Sequence, residues 1–219
     1  MTTRLSTARG VTSIAALVLL LSAAKSSADY QVTIDTSALA ASSVSLAFDF
    51  IDGGPPSNSI RILNFSTDGT LGTITATGGV SGTLPSAVTL TDSSFFNEYL
   101  QSETLGNKIS FTVAATSNAP SNGAVPDTFS FFLLSTGNGL PVVNTTDPTG
   151  ASSLITLQVD GSSSGTAEVY INSSSGPAVT WSVSAVPEPK SWAAFVLGLL
   201  SVMVFASRRT RDCARTIEG

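Results

Sequence analysis

The stretch Val44-Ser45-Leu46-Ala47-Phe48-Asp49-Phe50 decides the fold of this chain. Its four large apolar residues are separated by single small or acidic residues, so the hydrophobic period is two rather than 3.6. In an extended strand this period puts Val44, Leu46, Phe48 and Phe50 on one face and Asp49 on the other. The stretch therefore predicts a β-strand with one face in a core and the other toward solvent.

The same alternation recurs along the middle of the chain, at Ile109 to Ala115, Ile155 to Val159 and Val179 to Val183. The segment from Phe129 to Leu134 is apolar on both faces, which predicts a central strand covered on both sides. Turn formers such as Asp52-Gly53-Gly54-Pro55-Pro56 separate the runs. About ten short strands at this spacing predict an all-β fold, an antiparallel β-sandwich or jelly roll.

One segment of the middle region has a different local pattern. Asp92 or Ser93 is placed to cap a short helical turn that includes Phe95, Phe96 and Tyr99. Such a turn would close one end of the sandwich.

The first 28 residues have the order of a secretory signal peptide. Arg4 and Arg9 form a basic region, Val11 to Leu21 is apolar, and Ser26-Ser27-Ala28 supplies small residues for signal peptidase. We predict cleavage after Ala28. The alternative is an uncleaved anchor, although the apolar run is shorter than the ~20 residues that a spanning helix prefers.

The C-terminal part has three pieces in a fixed order. Val186-Pro187-Glu188-Pro189 is followed by an apolar run predicted as a transmembrane helix over residues 191–207, and then by a basic cluster at residues 208–211. Two prolines favour an extended, exposed backbone before the helix. A buried helix of a soluble domain is the alternative. The predicted domains are thus a signal peptide (1–28), a β-sandwich ectodomain (29–184), a sorting and anchor segment (185–211) and a cytoplasmic tail (212–219).

The residue inventory excludes several classes of function. Between Asp29 and Ala185 two bases, Arg61 and Lys108, stand against twelve acids, so no nucleic-acid partner is expected. The chain has no histidine, and its single cysteine, Cys213, lies in the tail. These absences exclude Ser-His-Asp and Cys-His catalysis and the usual zinc sites. We therefore predict a protein that is not an enzyme, with no catalytic residue, no cofactor and no metal site.

Carboxylates are the remaining raw material for chemistry. Asp49 with Asp52, or Glu98 with Glu103, has the residue types of a glycosidase acid and base. Strand alternation places Asp49 on the solvent face, and Asp52 belongs to a turn, so the structural interpretation is favoured for both. Loop acids at Asp52, Asp127 and Asp147 suit calcium, which prefers oxygen ligands, but no Asp-x-Asp-x-Asp spacing supports such a site.

Carbohydrate-binding sites commonly contain an exposed aromatic platform. Trp181 lies on the apolar face of its predicted strand and is expected in the core. Tyr170 lies opposite Val169 and Ile171 and is the best candidate for an exposed ring. A carbohydrate- or calcium-dependent adhesive module is therefore the alternative function.

The signal peptide, the Val186-Pro187-Glu188-Pro189 motif, the apolar helix beginning at Trp192 and the arginine cluster together resemble the PEP-CTERM family of surface proteins. The resemblance implies Pro187, Glu188 and Pro189 as the sorting signal, recognised by an exosortase. It implies Arg208, Arg209 and Arg211 as the basic cluster that stops transfer at the membrane.

The resemblance also implies a setting for the protein. Such proteins pass through the Sec translocon and signal peptidase of a Gram-negative bacterium, are held in the inner membrane, and reach the cell surface or an extracellular, exopolysaccharide-rich biofilm matrix. This chain departs from the family in the tail from Asp212 to Gly219, which continues beyond the arginines. A permanently C-terminally anchored envelope protein is the second alternative.

Overall fold

The computed structural model of the chain describes residues 27–116, 118–161, 166–173, 176–186 and Gly198. In the part up to residue 186 it forms twelve β-strands and one short 3-10 helix, Ser37–Leu39. The strands in chain order are β1 Ser27–Asp35, β2 Ser43–Ile51, β3 Ser59–Thr67, β4 Thr70–Thr77, β5 Val80–Thr83, β6 Ala87–Thr91, β7 Phe96–Thr104, β8 Lys108–Thr116, β9 Asp127–Ser135, β10 Ile155–Val159, β11 Thr166–Val169 and β12 Thr180–Ala185.

The strands belong to two antiparallel sheets of six strands each. Sheet A has the order β12-β1-β8-β3-β6-β5, and sheet B has the order β11-β10-β9-β2-β7-β4. The predicted all-β, antiparallel class is confirmed. The first eight strands pair in nested order: β1 pairs with β8, β2 with β7 and β3 with β6. The later strands extend the sheets: β9 pairs with β2, and β12 with β1.

The inner faces of the two sheets meet in an aromatic core. The ring of Phe111 on β8 lies 5.3 Å from that of Phe48 on β2 and 5.0 Å from that of Phe131 on β9. The predicted inward residues of β2, Val44, Leu46, Phe48 and Phe50, are all buried. Burial of each of these side chains contributes about 1.5–3 kcal/mol to packing one sheet on the other.

Strand β9 is central in sheet B, as predicted, but it is not covered on both sides. It lies between β10 and β2. Phe129, Phe131 and Leu133 are buried in the core, whereas Phe132 and Leu134 on the outer face are only half-buried. The prediction of two covered faces was wrong because no further layer of the described chain packs on the outside of sheet B.

The helical turn predicted between Ser93 and Leu100 is absent. Residues 92–95 form a bend, and Phe96–Thr104 is strand β7, paired with β2 on one side and β4 on the other. Two neighbouring ladders satisfy the backbone groups of this segment more completely than one isolated turn. The sequence has no apolar alternation that would predict β7, because its buried positions are Asn97, Tyr99, Gln101 and Glu103.

The inner face of β7 is polar although it is buried. Asn97, Tyr99, Gln101 and Glu103 all point inward. The Tyr99 hydroxyl donates to Gln101 Oε1 at 2.9 Å and accepts from the backbone N–H of Leu84 at 3.1 Å. These side chains therefore bind the chain between β5 and β6 to β7, where the sandwich closes along its edge.

The register defines two ends of the domain. Ser27 lies opposite Thr116, and Asp35 lies opposite Lys108. The end that contains Thr116 is called the exit end, because Val186 lies there and its backbone N–H donates to the Asp29 carbonyl at 2.8 Å. The end that contains Lys108 is called the far end. The sheet extends through Ala185, one residue beyond the predicted domain boundary at 184.

Candidate functional site

Three carboxylates converge at the exit end. Asp52 follows β2, Asp92 follows β6, and Asp127 is the first residue of β9. One oxygen of each lies within 4.8 Å of the others. The three are 35 or more residues apart in sequence, and the antiparallel pairings bring them together because β2, β6 and β9 have these termini at the same end. We call Asp52, Asp92 and Asp127 the acidic cluster.

The acidic cluster is held in place by hydrogen bonds from the loop after β2. The backbone N–H of Gly53 donates to Asp127 Oδ1 at 2.7 Å, and that of Gly54 donates to Asp52 Oδ1 at 2.7 Å. Asn58 contacts two of the acids: its side-chain nitrogen donates to Asp127 Oδ2 at 2.9 Å, and its backbone N–H donates to Asp92 Oδ2 at 2.5 Å. Each carboxylate therefore has a defined orientation.

A second set of bonds fixes Asn58. Its Oδ1 accepts from the Thr116 hydroxyl at 2.8 Å and from the Asn118 backbone N–H at 3.2 Å. The asparagine is buried, and it ties β3 to β8 directly behind the acidic cluster. No residue other than glycine fits at position 53 with this backbone, because a Cβ there would lie 2.3 Å from the Val125 carbonyl oxygen.

The electrostatics of the acidic cluster disfavour three negative charges. Burial raises the pKa of the Asp127 carboxyl, hydrogen bonds from Gly53 and Asn58 offset part of this rise, and the charges of Asp92 and Asp52 raise it again. Of the two bases between residues 29 and 185, Lys108 is at the opposite end of the nine-residue strand β8, roughly 26 Å away at the rise of an extended chain. Arg61 is nearer, on β3, but its exposed position alternates with the buried Ile60 and Ile62, so it lies on the outer face of sheet A. A cation at the cluster would relieve this repulsion.

The geometry suits a hard divalent cation such as calcium. Calcium takes six to eight oxygen ligands at about 2.3–2.6 Å, so its ligand oxygens lie within about 5 Å of one another. Three carboxylates supply half of such a set. The remaining ligands would be water or backbone carbonyls, because no further carboxylate of the described residues joins the group.

Of the three loop acids considered from the sequence, the structure brings Asp52 and Asp127 together and places Asp147 elsewhere. Asp147 accepts hydrogen bonds from Thr149 and Ser153, with the two hydroxyl donors each at 2.7 Å. Burial acts to raise the pKa of Asp147, but these hydrogen bonds outweigh it and hold the pKa below its usual value. Asp147 therefore orders its own loop. Asp92 was missed; its position directly after a strand was the available signal.

The acid pairs considered for catalysis are both separated in the structure. Asp49 and Glu98 instead lie opposite each other on the outer face of sheet B. Burial, then the charge of Glu98, raises the pKa of Asp49 to about 7. Asp49 Oδ1 is buried without a hydrogen-bond partner among the described residues. Two neighbouring carboxyls resemble an acid–base pair in residue type, and burial raises the pKa of Glu98 as well.

Glu103, the fourth of these acids, belongs to the interior. Its Oε1 accepts a hydrogen bond from the Thr67 hydroxyl. Burial raises the pKa of Glu103, the bond from Thr67 lowers it, and the nearby charge of Asp68 raises it again. The side chain joins β7 to the end of β3, which is a structural role.

The two aromatic candidates lie together at the edge formed by β11 and β12, opposite the edge formed by β4 and β5. Trp181 was expected in the core but is only half-buried: it packs against the core from outside and donates its indole N–H to the Leu154 carbonyl at 3.0 Å. Tyr170 is also half-buried and donates its hydroxyl to Glu168 at 2.6 Å. Both line a surface cavity of about 200 Å³ with Ile171, which is 69% exposed.

The alternation used to place Tyr170 was wrong. Val169 and Ile171 were expected inside, yet both are more exposed than the tyrosine. Strand β11 ends at Val169 and lies at the edge of sheet B, so the chain leaves the pleat before Tyr170.

The predicted sorting residues are outside the part of the chain that the structure describes. These are Pro187, Glu188, Pro189, Arg208, Arg209 and Arg211. Ala28, the predicted cleavage site, is within β1 and pairs with Ala115. Cleavage after it would leave Asp29–Asp35 of that strand. In the described residues, no helix is both long enough and apolar enough to span a membrane.

No protein-family model, no curated protein and no solved structure matches the chain.

Proposed function

We propose that the protein is an exported, non-enzymatic cell-surface or extracellular-matrix protein that is sorted and cleaved at Pro187-Glu188-Pro189 by an exosortase. The observation that supports this proposal best is the bond from Val186 N–H to the Asp29 carbonyl. It joins the first residue after the expected signal cleavage to the residue directly before Pro187. The two segments proposed as targeting sequences are thus attached at the same end of the folded domain.

The strand order supports a jelly-roll type of sandwich for the exported domain. Jelly rolls arise when a long hairpin folds over, so that the first strand pairs with the eighth, the second with the seventh and the third with the sixth. The pairings of β1 through β8 follow this order, except that β5 joins sheet A beside β6. Such a closed, cysteine-free sandwich is suited to display outside the cell, since its stability does not depend on disulfides.

The partners in this proposal are those of the export route. The Sec translocon and signal peptidase act on residues 1–28, the membrane holds the helix predicted at 191–207, and the exosortase acts at the motif. Exopolysaccharide is the partner at the surface. The protein passes through an inner-membrane-anchored intermediate before it is displayed.

The test is the mass of the mature C-terminus, measured by mass spectrometry in a strain with the exosortase and in one without it. We expect an end near residues 187–189 with the exosortase, and a chain that retains Arg208 to Arg211 without it. Pro187→Ala combined with Pro189→Ala should block cleavage. Pro148→Ala, on an exposed loop, is the matched control.

The same measurement separates release from permanent anchoring. A chain that retains residues 191–211 in both strains, and stays in the membrane fraction, contradicts sorting and supports the anchored envelope protein. A chain found with an intact residue 1–28 segment contradicts export by signal cleavage.

A calcium-dependent adhesive module is the second candidate function, and the acidic cluster is the observation that favours it. Asp127 is only 1% exposed and has two further acids beside it. Titration of the full-length chain with calcium, followed by calorimetry, tests this function. We expect binding heat that Asp127→Asn removes and that Asp35→Asn, an exposed acid at the far end, leaves intact. Absence of heat in the natural chain contradicts this candidate.

A carbohydrate ligand would be detected on a glycan array, read with and without calcium. Binding that requires calcium would place the sugar at the acidic cluster. Binding that is independent of calcium, and lost in Tyr170→Ala, would place it at the edge cavity with Trp181. No binding under either condition leaves the display function without an adhesive activity.

A further inference from the structure

Exposed apolar side chains gather at the exit end. Phe95 is 74% exposed and Val125 is 64% exposed, and both belong to loops at this end. Phe96 and Ile51 lie opposite each other in register and are partly exposed beside them. We call these four residues the apolar tip. A contiguous group of exposed large apolar side chains is unusual on a soluble surface and marks a contact site.

The apolar tip is held rigidly on the fold. The Phe95 carbonyl accepts from the Asp52 backbone N–H at 3.0 Å. On the other side of the same loop, Gly53 lies so close to the Val125 carbonyl that no Cβ would fit. The loops that carry Phe95 and Val125 are therefore packed on either side of residues 52 and 53.

The far end differs. Leu140, 61% exposed, is the large apolar residue exposed on the loop after β9, and its carbonyl accepts from the Ser135 backbone N–H at 2.8 Å. It has no group of exposed apolar neighbours among the residues described there. The two ends of the domain are therefore not equivalent surfaces.

The position of the chain exit identifies what can cover the apolar tip. The apolar run that begins at Trp192 is six residues after Val186, a distance of at most roughly 20 Å for an extended chain. Phe95 leads into β7, which is four strands across sheet B from the edge that faces β12, or roughly 19 Å. A bilayer that holds residues 191–207 thus lies within reach of the tip.

We infer that the apolar tip inserts into the interface of a lipid bilayer while the chain is anchored. This inference rests on the proposed anchored intermediate. Exposed apolar patches rimmed by polar residues mark membrane contact sites as well as protein contact sites. Asp52 and Asp92 beside the tip disfavour anionic headgroups, so the surface it fits is zwitterionic lipid.

Insertion would have a consequence for processing. The domain would be held with its exit end on the membrane, and the residues directly after Val186 would lie at the bilayer surface. An integral-membrane processing enzyme acts at that depth. The apolar tip would thereby position the motif for an enzyme embedded in the same membrane.

The test uses the full-length chain reconstituted into phosphatidylcholine vesicles. A photoreactive benzoylphenylalanine replaces Phe95 in one variant and Leu140 in a matched control, since both side chains are exposed and apolar but at opposite ends. After irradiation, mass spectrometry reads the adduct. We expect lipid adducts at position 95 and none at position 140.

Three outcomes would overturn the inference. Equal lipid adducts at both positions indicate random contact, and no lipid adduct at position 95 indicates a tip in water. A cross-link from position 95 to a second copy of the chain assigns the apolar tip to self-association. Resistance of the chain to carbonate extraction separates the two levels: an extracted chain contradicts the anchored intermediate and the insertion together, whereas a resistant chain without adducts contradicts insertion alone.

Discussion

The two faces of the β2–β7 pair carry opposite chemistry at adjacent residues. On the inner face Phe48 lies opposite Tyr99, with ring centroids 6.2 Å apart. On the outer face Asp49 lies opposite Glu98. Because side chains alternate along a strand, a single register produces both contacts, and neither can be changed by sliding the strands without changing the other.

The register that produces the favourable contact of Phe48 with Tyr99 also produces the unfavourable contact of Asp49 with Glu98. Burial of aromatic rings is worth several kcal/mol for the inner pair. The outer pair brings two carboxylates together, and desolvation followed by the charge of Glu98 raises the pKa of Asp49. We therefore infer that the core sets the register, and that the outer face accommodates it through the raised pKa of Asp49.

The largest effect is expected from removing the inner aromatic. Phe48→Ala deletes a fully buried ring that contacts Tyr99, Phe111 and Phe131, and it should lower the free energy of unfolding by about 4 kcal/mol. Urea unfolding followed by circular dichroism measures this loss. Phe95→Ala is the control: it removes an exposed ring and should change stability by less than about 0.5 kcal/mol. Equal losses would contradict the assignment of the core.

The outer pair is tested by the pH dependence of stability. The pKa of Asp49 is raised from 3.8 to about 7 in the folded state. The stability that the protonated carboxyl contributes to the folded state is therefore fully present below about pH 4 and is lost as pH rises through about 7. Asp49→Asn removes this loss. Since the side chain is partly solvated, we expect the variant to be about 2 kcal/mol more stable at pH 8 and equal at pH 4.

The measurement is urea unfolding of both proteins across that pH range. Asp35→Asn is a control of the opposite sign, because hydrogen bonds from Ser37 hold the pKa of Asp35 below its usual value. A difference between Asp49→Asn and the natural chain that does not change with pH would contradict the raised pKa of Asp49 in the folded state.

A third prediction concerns the polar side chains on the inner face of β7. Asn97 accepts from the Gly79 backbone N–H at 2.7 Å and donates to the Phe50 carbonyl at 3.1 Å. Asn97→Ala leaves the buried Phe50 carbonyl and the half-buried Gly79 N–H without these bonds and should cost about 2 kcal/mol. Asn138→Ala, on an exposed loop, should cost less than about 0.5 kcal/mol. Similar values for the two in thermal unfolding would show that Asn97 is replaceable by water.

The smallest effect is expected at the Tyr99 hydroxyl. Tyr99→Phe keeps the ring contact with Phe48 but removes the bonds to Gln101 and Leu84, at a cost of about 1 kcal/mol. The matched control is Tyr170→Phe, whose hydroxyl bonds to exposed Glu168, and which should be neutral. If Tyr99→Phe does not change the free energy of unfolding, Tyr99 stabilises the fold through its ring alone.

Prediction from the sequence succeeded where the period of two was long and regular. The inward faces of β2 and β8 are buried as expected, from Val44 to Phe50 and from Ile109 to Ala115. It failed at Ser93 to Leu100 and at Tyr170. In the first case the buried face of the strand is polar, so no apolar alternation opposed the cap pattern, and in the second a short edge strand ended before the alternation did. Local patterns do not state where a ladder stops.

The acidic cluster shows the second limit of such prediction. Asp52 and Asp127 were recognisable as loop acids next to strands, but their meeting with Asp92 depends on the strand order in two sheets. The pair of Asp49 and Glu98 likewise joins strands 49 residues apart in sequence. Spacing along the chain carries no information about such pairs.

The amino-acid sequence by itself determined the all-β class, the inward faces of the long strands, the absence of histidine and cysteine from residues 29–184, and the order of the terminal segments. These follow from residue types and their period. Only the tertiary structure decided which acids meet, which aromatic rings face water, and that Val186 closes on Asp29 at the end that carries the apolar tip. The physical reason is that strand pairing acts between distant residues, and its register is selected by the fit of the whole core.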